Sequence, residues 1–278
     1  MQTLSIIGVG LIGGSVGLAA RQSKMIGRIK GAGRSPEALE RALAAGTVHE
    51  TTLDAIEAVR DADLVILCIP VDQIAPAVLH IAPHCRPGTV ITDTGSTKAA
   101  IVSAVEGMMP ANLHFVGGHP LAGSEKSGVE HADASLFQDR VTVLTRTPST
   151  DSAALQKVTE FWRALGARIR IMTPEDHDRA VALTSHLPHL LASTLAGMLS
   201  NELFDLAASG FRDTTRIAAG DPSIWMPILS QNRAAVSNTL VTLRARLDLF
   251  RRALDNDDVA KLTELLAEGK RSRDALGS

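Results

Sequence analysis

Leu4-Ser5-Ile6-Ile7-Gly8-Val9-Gly10-Leu11-Ile12-Gly13 decides how the first half of this 278-residue chain folds. Leu4 to Ile7 is an apolar run with the length of a buried strand, and it stops at Gly8. Residues 13–23 then carry small and apolar side chains at helical spacing. The G-x-G-x-x-G pattern thus stands between a strand and a helix, which is where a dinucleotide fingerprint belongs. Gly8 permits the tight turn, Gly10 lets a pyrophosphate approach the backbone, and Gly13 lets the helix pack closely on the strand. The opening of the helix, with Leu11 and Ile12, then faces the phosphates with unpaired N–H groups. A purely structural glycine-rich turn is the competing reading, and the strand–turn–helix context argues against it.

The second strand, Arg28 to Ala32, leads into a helix from Pro36 to Ala45 with Ser35 as its cap. An acid at the end of this strand usually binds the ribose hydroxyls of NAD. Here the sequence is Gly31-Ala32-Gly33-Arg34-Ser35, so the acid is missing. A guanidinium and a hydroxyl would instead receive a 2′-phosphate, which favours NADP over NAD. The plainer reading makes Arg34 a solvated charge and Ser35 only a helix cap.

Further strands follow at Asp63 to Ile69, Val90 to Asp93, His114 to Val116, Val141 to Leu144 and Arg168 to Ile171. Such runs between helices imply a parallel sheet covered on both faces. Ligands bind at the carboxyl ends of such strands, so Ile69, Pro70, Thr94 and Gly95 join the expected cofactor contacts. After Pro174 the periodicity is helical: a long stretch over 175–209 that Pro188 should kink or break, a helix from Ser223 to Leu254, and a last helix over 257–275. The expected fold is α/β, with a Rossmann-type doubly wound sheet in residues 1–171 and an all-helical domain in 172–278. A helical half beside a complete sheet often supplies a dimer surface. A net charge of −2 gives no global attraction to nucleic acid or to an acidic membrane. Two cysteines without metal spacing, no signal peptide and no apolar run of spanning length suit a cytoplasmic protein.

Four segments carry chemistry. Asp93-Thr94-Gly95-Ser96-Thr97-Lys98 and Gly117-Gly118-His119-Pro120-Leu121-Ala122-Gly123-Ser124-Glu125 each follow a strand. His186-Leu187-Pro188-His189 and Gly210-Phe211-Arg212-Asp213-Thr214-Thr215-Arg216-Ile217-Ala218 lie in the helical half. With His177-Asp178 and the downstream Trp225, their order and spacing resemble the prephenate/arogenate (cyclohexadienyl) dehydrogenase family. The resemblance runs from Gly8 to about Trp225.

It implies a helical dimerisation domain, hence a homodimer, and an oxidative decarboxylation in tyrosine biosynthesis. A hydride leaves the hydroxyl-bearing ring carbon for the nicotinamide, and the ring then loses CO₂ and becomes aromatic. His119 matches the catalytic base of the family, Ser96 the serine that bonds near the same hydroxyl and orients that histidine, and Arg216 the clamp on the ring carboxylate. His177 and His189 match positions on the substrate side, and Arg212 and Asp213 fit the substrate loop. Trp225 is either pocket wall or core. His186 reads as structural, and no third ligand is spaced to make zinc with it and His189. His49, His80, His84, His114 and His131 read as ordinary structural histidines.

Another two-domain reductase, such as a β-hydroxyacid dehydrogenase or a pyrroline-carboxylate reductase, shares the fingerprint and a helical second half. A β-hydroxyacid dehydrogenase would need a catalytic lysine after a glycine-rich run near 172–200, and none is there. A non-enzymatic NADP-binding redox sensor would not need His119, Ser96 and Arg216 together. Prephenate and arogenate differ at a side chain remote from the reacting ring, and both are carried as substrates. No regulatory domain is expected beyond Ser278, so feedback by tyrosine would have to act at the active site.

Overall fold

The computed structural model describes residues 1–123 and 126–277. In chain order the elements are β1 (Thr3–Ile7), α1 (Leu11–Ser23), β2 (Arg28–Ala32), α2 (Pro36–Ala44), β3 (Glu50–Thr52), α3 (Ala55–Val59), β4 (Leu64–Leu67), α4 (Val71–Ile81) and β5 (Val90–Asp93). Then come α5 (Ala99–Val105), β6 (His114–Val116), β7 (Gly118–Pro120), β8 (Val141–Thr145), α6 (Ser152–Ala164), β9 (Arg168–Met172) and α7 (Pro174–Val181). The chain continues through α8 (Leu187–Gly197), α9 (Ser209–Thr215), α10 (Pro222–Gln231), α11 (Arg233–Asp255) and α12 (Val259–Ala275).

The main sheet has six parallel strands in the order β3-β2-β1-β4-β5-β6. Its faces follow the two-residue period of a strand. Leu4, Ile6, Leu64 and Ile66 enter one core, with Val16 of α1 and Trp162 of α6. Ile7, Val65, Leu67 and Ile91 enter the other, with Ile74 of α4 and Ile101 of α5. Strand order reverses between β1 and β4, so a crevice opens at their carboxyl ends.

The structure corrects the expectation of a single sheet. β8 and β9 leave the main sheet and join β7, which runs antiparallel to β8. The turn into β7 is close. A Cβ on Gly118 would lie 2.7 Å from the Asp93 carbonyl oxygen, so only glycine lets β7 cross the end of β5. His119, expected on a loop after a strand, therefore sits within β7 opposite Val143.

Pro188, expected to kink or break the helical stretch, distorts it without ending it. Its missing N–H removes one bond of the helical ladder. A π turn over Ala182–His186 precedes α8. The helix expected over 223–254 is interrupted at Asn232, between α10 and α11. By packing, the chain divides into residues 1–232 and 233–278. Helix α7 docks on α5 and β8, and α10 docks on α4, which ties this helical stretch to the sheet. The second unit is a hairpin of α11 and α12, with Asp258 capping α12 and an Arg246–Glu268 ion pair of 2.8 Å between the helices.

Candidate active site

The glycine turn sits at the crevice. Gly8 adopts φ +94°, and a Cβ on Gly13 would come within 2.1 Å of the Gly8 carbonyl oxygen. Strand, turn and helix thus meet with no room for side chains. Gly10 is the opposite case: a Cβ there would meet nothing within 4 Å, and it caps α1 without any side-chain partner. The first N–H groups of α1, from Leu11 and Ile12 onward, have no capping side chain, an arrangement that fits a pyrophosphate. Ile69 packs beside Gly8, and Pro70 is the exposed cap of α4. The Thr94 N–H donates to Leu67 O at 3.0 Å, and the Gly95 N–H to Asp93 Oδ2 at 2.9 Å.

Arg34 is exposed and has no ion pair or hydrogen bond among the described residues. Ser35 is engaged: its hydroxyl accepts from the Ala38 N–H at 3.2 Å and donates to Glu37 Oε2 at 2.6 Å. The helix-cap reading of Ser35 is thus realised, and a cofactor phosphate would compete with Glu37 for the hydroxyl.

Asp93 and Lys98, at the two ends of the D-x-G-S-x-K segment, form an ion pair from which water is excluded, with both side chains 0% exposed. The carboxylate also accepts the Gly95 and Gly118 N–H groups, the latter at 3.0 Å. One buried acid therefore ties the loop bearing Ser96 to the strand bearing His119. Ser96 is partly exposed and makes no hydrogen bond among the described residues.

What holds His119 is another histidine. His119 Nδ1 lies 2.8 Å from His177 Nε2, and His177 Nδ1 lies 2.7 Å from Asp178 Oδ1. His177 was expected beside the substrate; it is fully buried, with both ring nitrogens engaged by protein. Asp178 accepts the Lys98 and Ala99 N–H groups at 2.8 and 2.9 Å. Its carbonyl oxygen accepts the Asn232 amide at 2.7 Å, and the same amide nitrogen is 3.1 Å from His186 Nδ1. His186 meets Trp225 edge-on, and Trp225 stacks on His189 at 3.6 Å and 7°. His186 Nε2 and His189 Nδ1 are buried without a hydrogen-bond partner. Trp225 joins both alternatives weighed for it: it packs partly on the sheet core while stacking on His189.

Arg216 is exposed on the short 3-10 turn Arg216–Ala219 that packs on α8, the helix of His189. Arg212 and Asp213 are exposed on α9, where Arg212 Nε donates to Ala207 O at 2.9 Å. Ser124 and Glu125, the end of the second motif, lie outside the described residues. Among the described residues, no group of three or more His, Cys, Asp or Glu gathers to hold a metal, and no helix is long and apolar enough to cross a membrane.

The arrangement offers an anion cradle beside a histidine. A family model described as the nucleotide-binding domain of prephenate dehydrogenase matches residues 16–171, and one described as its dimerization domain matches 173–268. The chain belongs to the prephenate dehydrogenase family. The cyclohexadienyl dehydrogenase of Zymomonas mobilis is 35% identical over 98% of this chain and 95% of its own length. The prephenate dehydrogenase of Aquifex aeolicus, solved with hydroxyphenyl propionate and NAD+, superposes with a TM-score of 0.93 at 33% identity, over 99% of this chain and 98% of that one. The Synechocystis arogenate dehydrogenase gives 0.85 at 31%, over 99% of each. A Salmonella typhimurium 3-hydroxyisobutyrate dehydrogenase, at 17% identity and a TM-score of 0.59 over 92% of this chain and 95% of that one, shares the fold alone.

In this prephenate dehydrogenase fold burial disfavours the charged forms of His119, His186 and His189. Burial, then the neighbouring His177, Lys98 and His186, pushes His119 well below the ordinary histidine range. Burial takes His186 down to about 4 and also lowers His189. In the unfolded chain each titrates near 6.5, so between about 6.5 and 4 the unfolded state binds more protons. Stability from these groups is therefore complete above about pH 6.5 and falls with acid. For His186 the expected slope approaches about 1.4 kcal/mol per pH unit between those two values. Urea midpoints at pH 7 and pH 5 check this; equal midpoints would refute it.

Proposed function

We propose that this chain catalyses the oxidative decarboxylation of prephenate or arogenate with NADP, as a cytoplasmic homodimer serving tyrosine biosynthesis. The observation that carries the reading is His119: it is partly exposed, kept uncharged, and locked by a buried partner in the family's G-x-H-P motif. A neutral imidazole accepts the proton of the ring hydroxyl, and this favours departure of the hydride. The nicotinamide, when bound, takes that hydride, and loss of CO₂ then aromatises the ring. Gly8, Gly10, Leu11, Ile12 and Gly13 hold the pyrophosphate, while Ile69, Pro70, Thr94 and Gly95 border the nicotinamide. Ser96 shares the substrate hydroxyl with His119, and Arg216 binds the ring carboxylate in bidentate fashion. His189, stacked on Trp225, lines the substrate side. Arg212 and Asp213 border it from α9.

NADP is chosen over NAD because the end of β2 lacks an acid and leaves Arg34 exposed and unpaired. The dimer rests on the family description of residues 173–268 and on exposed Met198, Phe204 and Leu206, apolar groups of a kind that mark interaction surfaces.

The deciding experiment pairs both substrates with both cofactors and follows the absorbance of the reduced nicotinamide. No turnover in any of the four combinations would remove the proposal. Arg34→Ala is expected to raise KM for NADP about 10- to 100-fold, the scale of one charge-assisted contact, and to leave NAD nearly unaffected. An unchanged ratio would return Arg34 to the solvated surface. Arg216→Ala is expected to weaken substrate binding by about 2–5 kcal/mol, as for one lost partner of a charge pair. An unchanged Michaelis constant would argue against the clamp.

A further inference from the structure

The chain His119–His177–Asp178 has a direction, because one end can only accept. Asp178 receives the Lys98 and Ala99 N–H groups on its two oxygens, and an ionised carboxylate has no proton to give. The 2.7 Å contact with His177 Nδ1 is then an N–H donated by His177. A neutral His177 with its hydrogen on Nδ1 has a bare Nε2. The 2.8 Å contact between the rings must then be donated by His119 Nδ1. This leaves the lone pair of His119 on Nε2, which makes no hydrogen bond among the described residues.

We infer that His177 and Asp178 are positioning residues that fix His119 as its Nδ1–H tautomer, so that Nε2 is the proton-accepting atom. This rests on the reaction proposed above and adds the atom and the device that selects it. The device is anchored at three points: the backbone before α5, the Asn232 amide on the Asp178 carbonyl, and the burial of His177 at 0% exposure. It also explains why α10 and α11 do not form one helix. Asn232 turns its side chain inward to Asp178 and His186 at the interruption. The charged and titratable groups around the ring pair are Asp93 and Lys98 from the β5 side, Asp178 from α7 and His186 from the π turn. A cationic His177 would reverse the direction, donating to His119 Nδ1 and placing the hydrogen on His119 Nε2. Full burial of the His177 ring disfavours its charged form.

Ring ¹⁵N chemical shifts of His119, assigned by comparison with His119→Asn, test the tautomer in the intact protein without substrate. The expected wild-type spectrum near neutral pH has a protonated Nδ1 and a bare Nε2. A protonated Nε2 overturns the inference. In Asp178→Asn, the bare-Nε2 signal should give way to a mixture of tautomers; an unchanged spectrum overturns it too. Kinetically, His177→Leu should lower kcat at least about tenfold with KM within about twofold, following the orienting role of the acid in a catalytic triad. His177→Gln sets a carbonyl acceptor where Nε2 stood and should recover most of that loss. Equal kcat in the two variants would reduce His177 to packing. Because the spectra need no turnover, an inactive protein with the expected tautomer would refute the reaction and leave the positioning device standing.

Discussion

His119→Asn is expected to lower kcat by about 10²- to 10⁴-fold, the range that a positioned acid–base group contributes, with KM nearly unchanged. The substitution isolates the chemistry. An asparagine amide reaches the position of Nδ1 and can still donate to His177 Nε2, so the buried contact of 2.8 Å survives in kind. What disappears is the basic nitrogen. Binding should be spared because Arg216, the proposed carboxylate clamp, and the stacked pair His189–Trp225 are untouched. The wild-type pH profile carries a second signature. Burial and the neighbouring Lys98 keep His119 neutral, so the acid limb of kcat/KM should lie below the ordinary histidine range, with a plateau through neutral pH. In the variant that limb should vanish. Turnover near the wild-type level, or a variant that keeps the same acid limb, would assign the proton transfer to another group.

How legible was this site before the fold was known? The main sheet was readable where strands are buried on both faces, since β1, β4 and β5 are contiguous, fully buried runs bounded by turn residues. β3 was not, because Glu50–Thr52 is a short polar edge strand without an apolar pattern. β7 was not, because its three residues, glycine, histidine and proline, carry turn chemistry that argues against a strand. His119 stood out by motif, yet its partner did not. His119 and His177 are separated by 58 residues, and no periodicity relates them. Asp178 was visible only as half of a His-Asp pair whose meaning depends on burial. Asn232 left one mark, a residue that favours caps over helix interiors inside the helix expected over 223–254. Ser96 is the reverse case: the motif drew attention to it, while it makes no hydrogen bond among the described residues. Lysine in D-x-G-S-x-K was passed over because lysines are almost never fully buried unless paired, and its pairing shows only in three dimensions.

That lysine carries the largest expected effect on stability. Lys98→Met should destabilise the protein by about 3–5 kcal/mol, because it leaves Asp93 as a buried charge without a counter-charge. Both side chains are 0% exposed, so water cannot take over the lost interaction, as it does at an exposed pair such as Arg179–Asp176. The remaining donors to Asp93, the Gly95 and Gly118 N–H groups, are dipoles and offset only part of the cost. At typical heat capacities and sizes this is a melting temperature lower by roughly 10 °C. The methionine is close in volume to the lysine stem, so packing alone should cost under about 1.5 kcal/mol, well below the electrostatic term. The same substitution reaches the catalytic histidine by two routes. Lys98 is the cation that helps hold His119 uncharged, so its loss should move the acid limb of the rate profile upward. Asp93 also anchors Gly118, next to His119, so a loosened carboxylate should lower kcat more than it raises KM. Denaturant midpoints, a melting curve and one pH profile measure all three consequences. A loss of stability under about 1 kcal/mol would mean that solvent reaches the pair in solution, and the acid limb should then stay where it was.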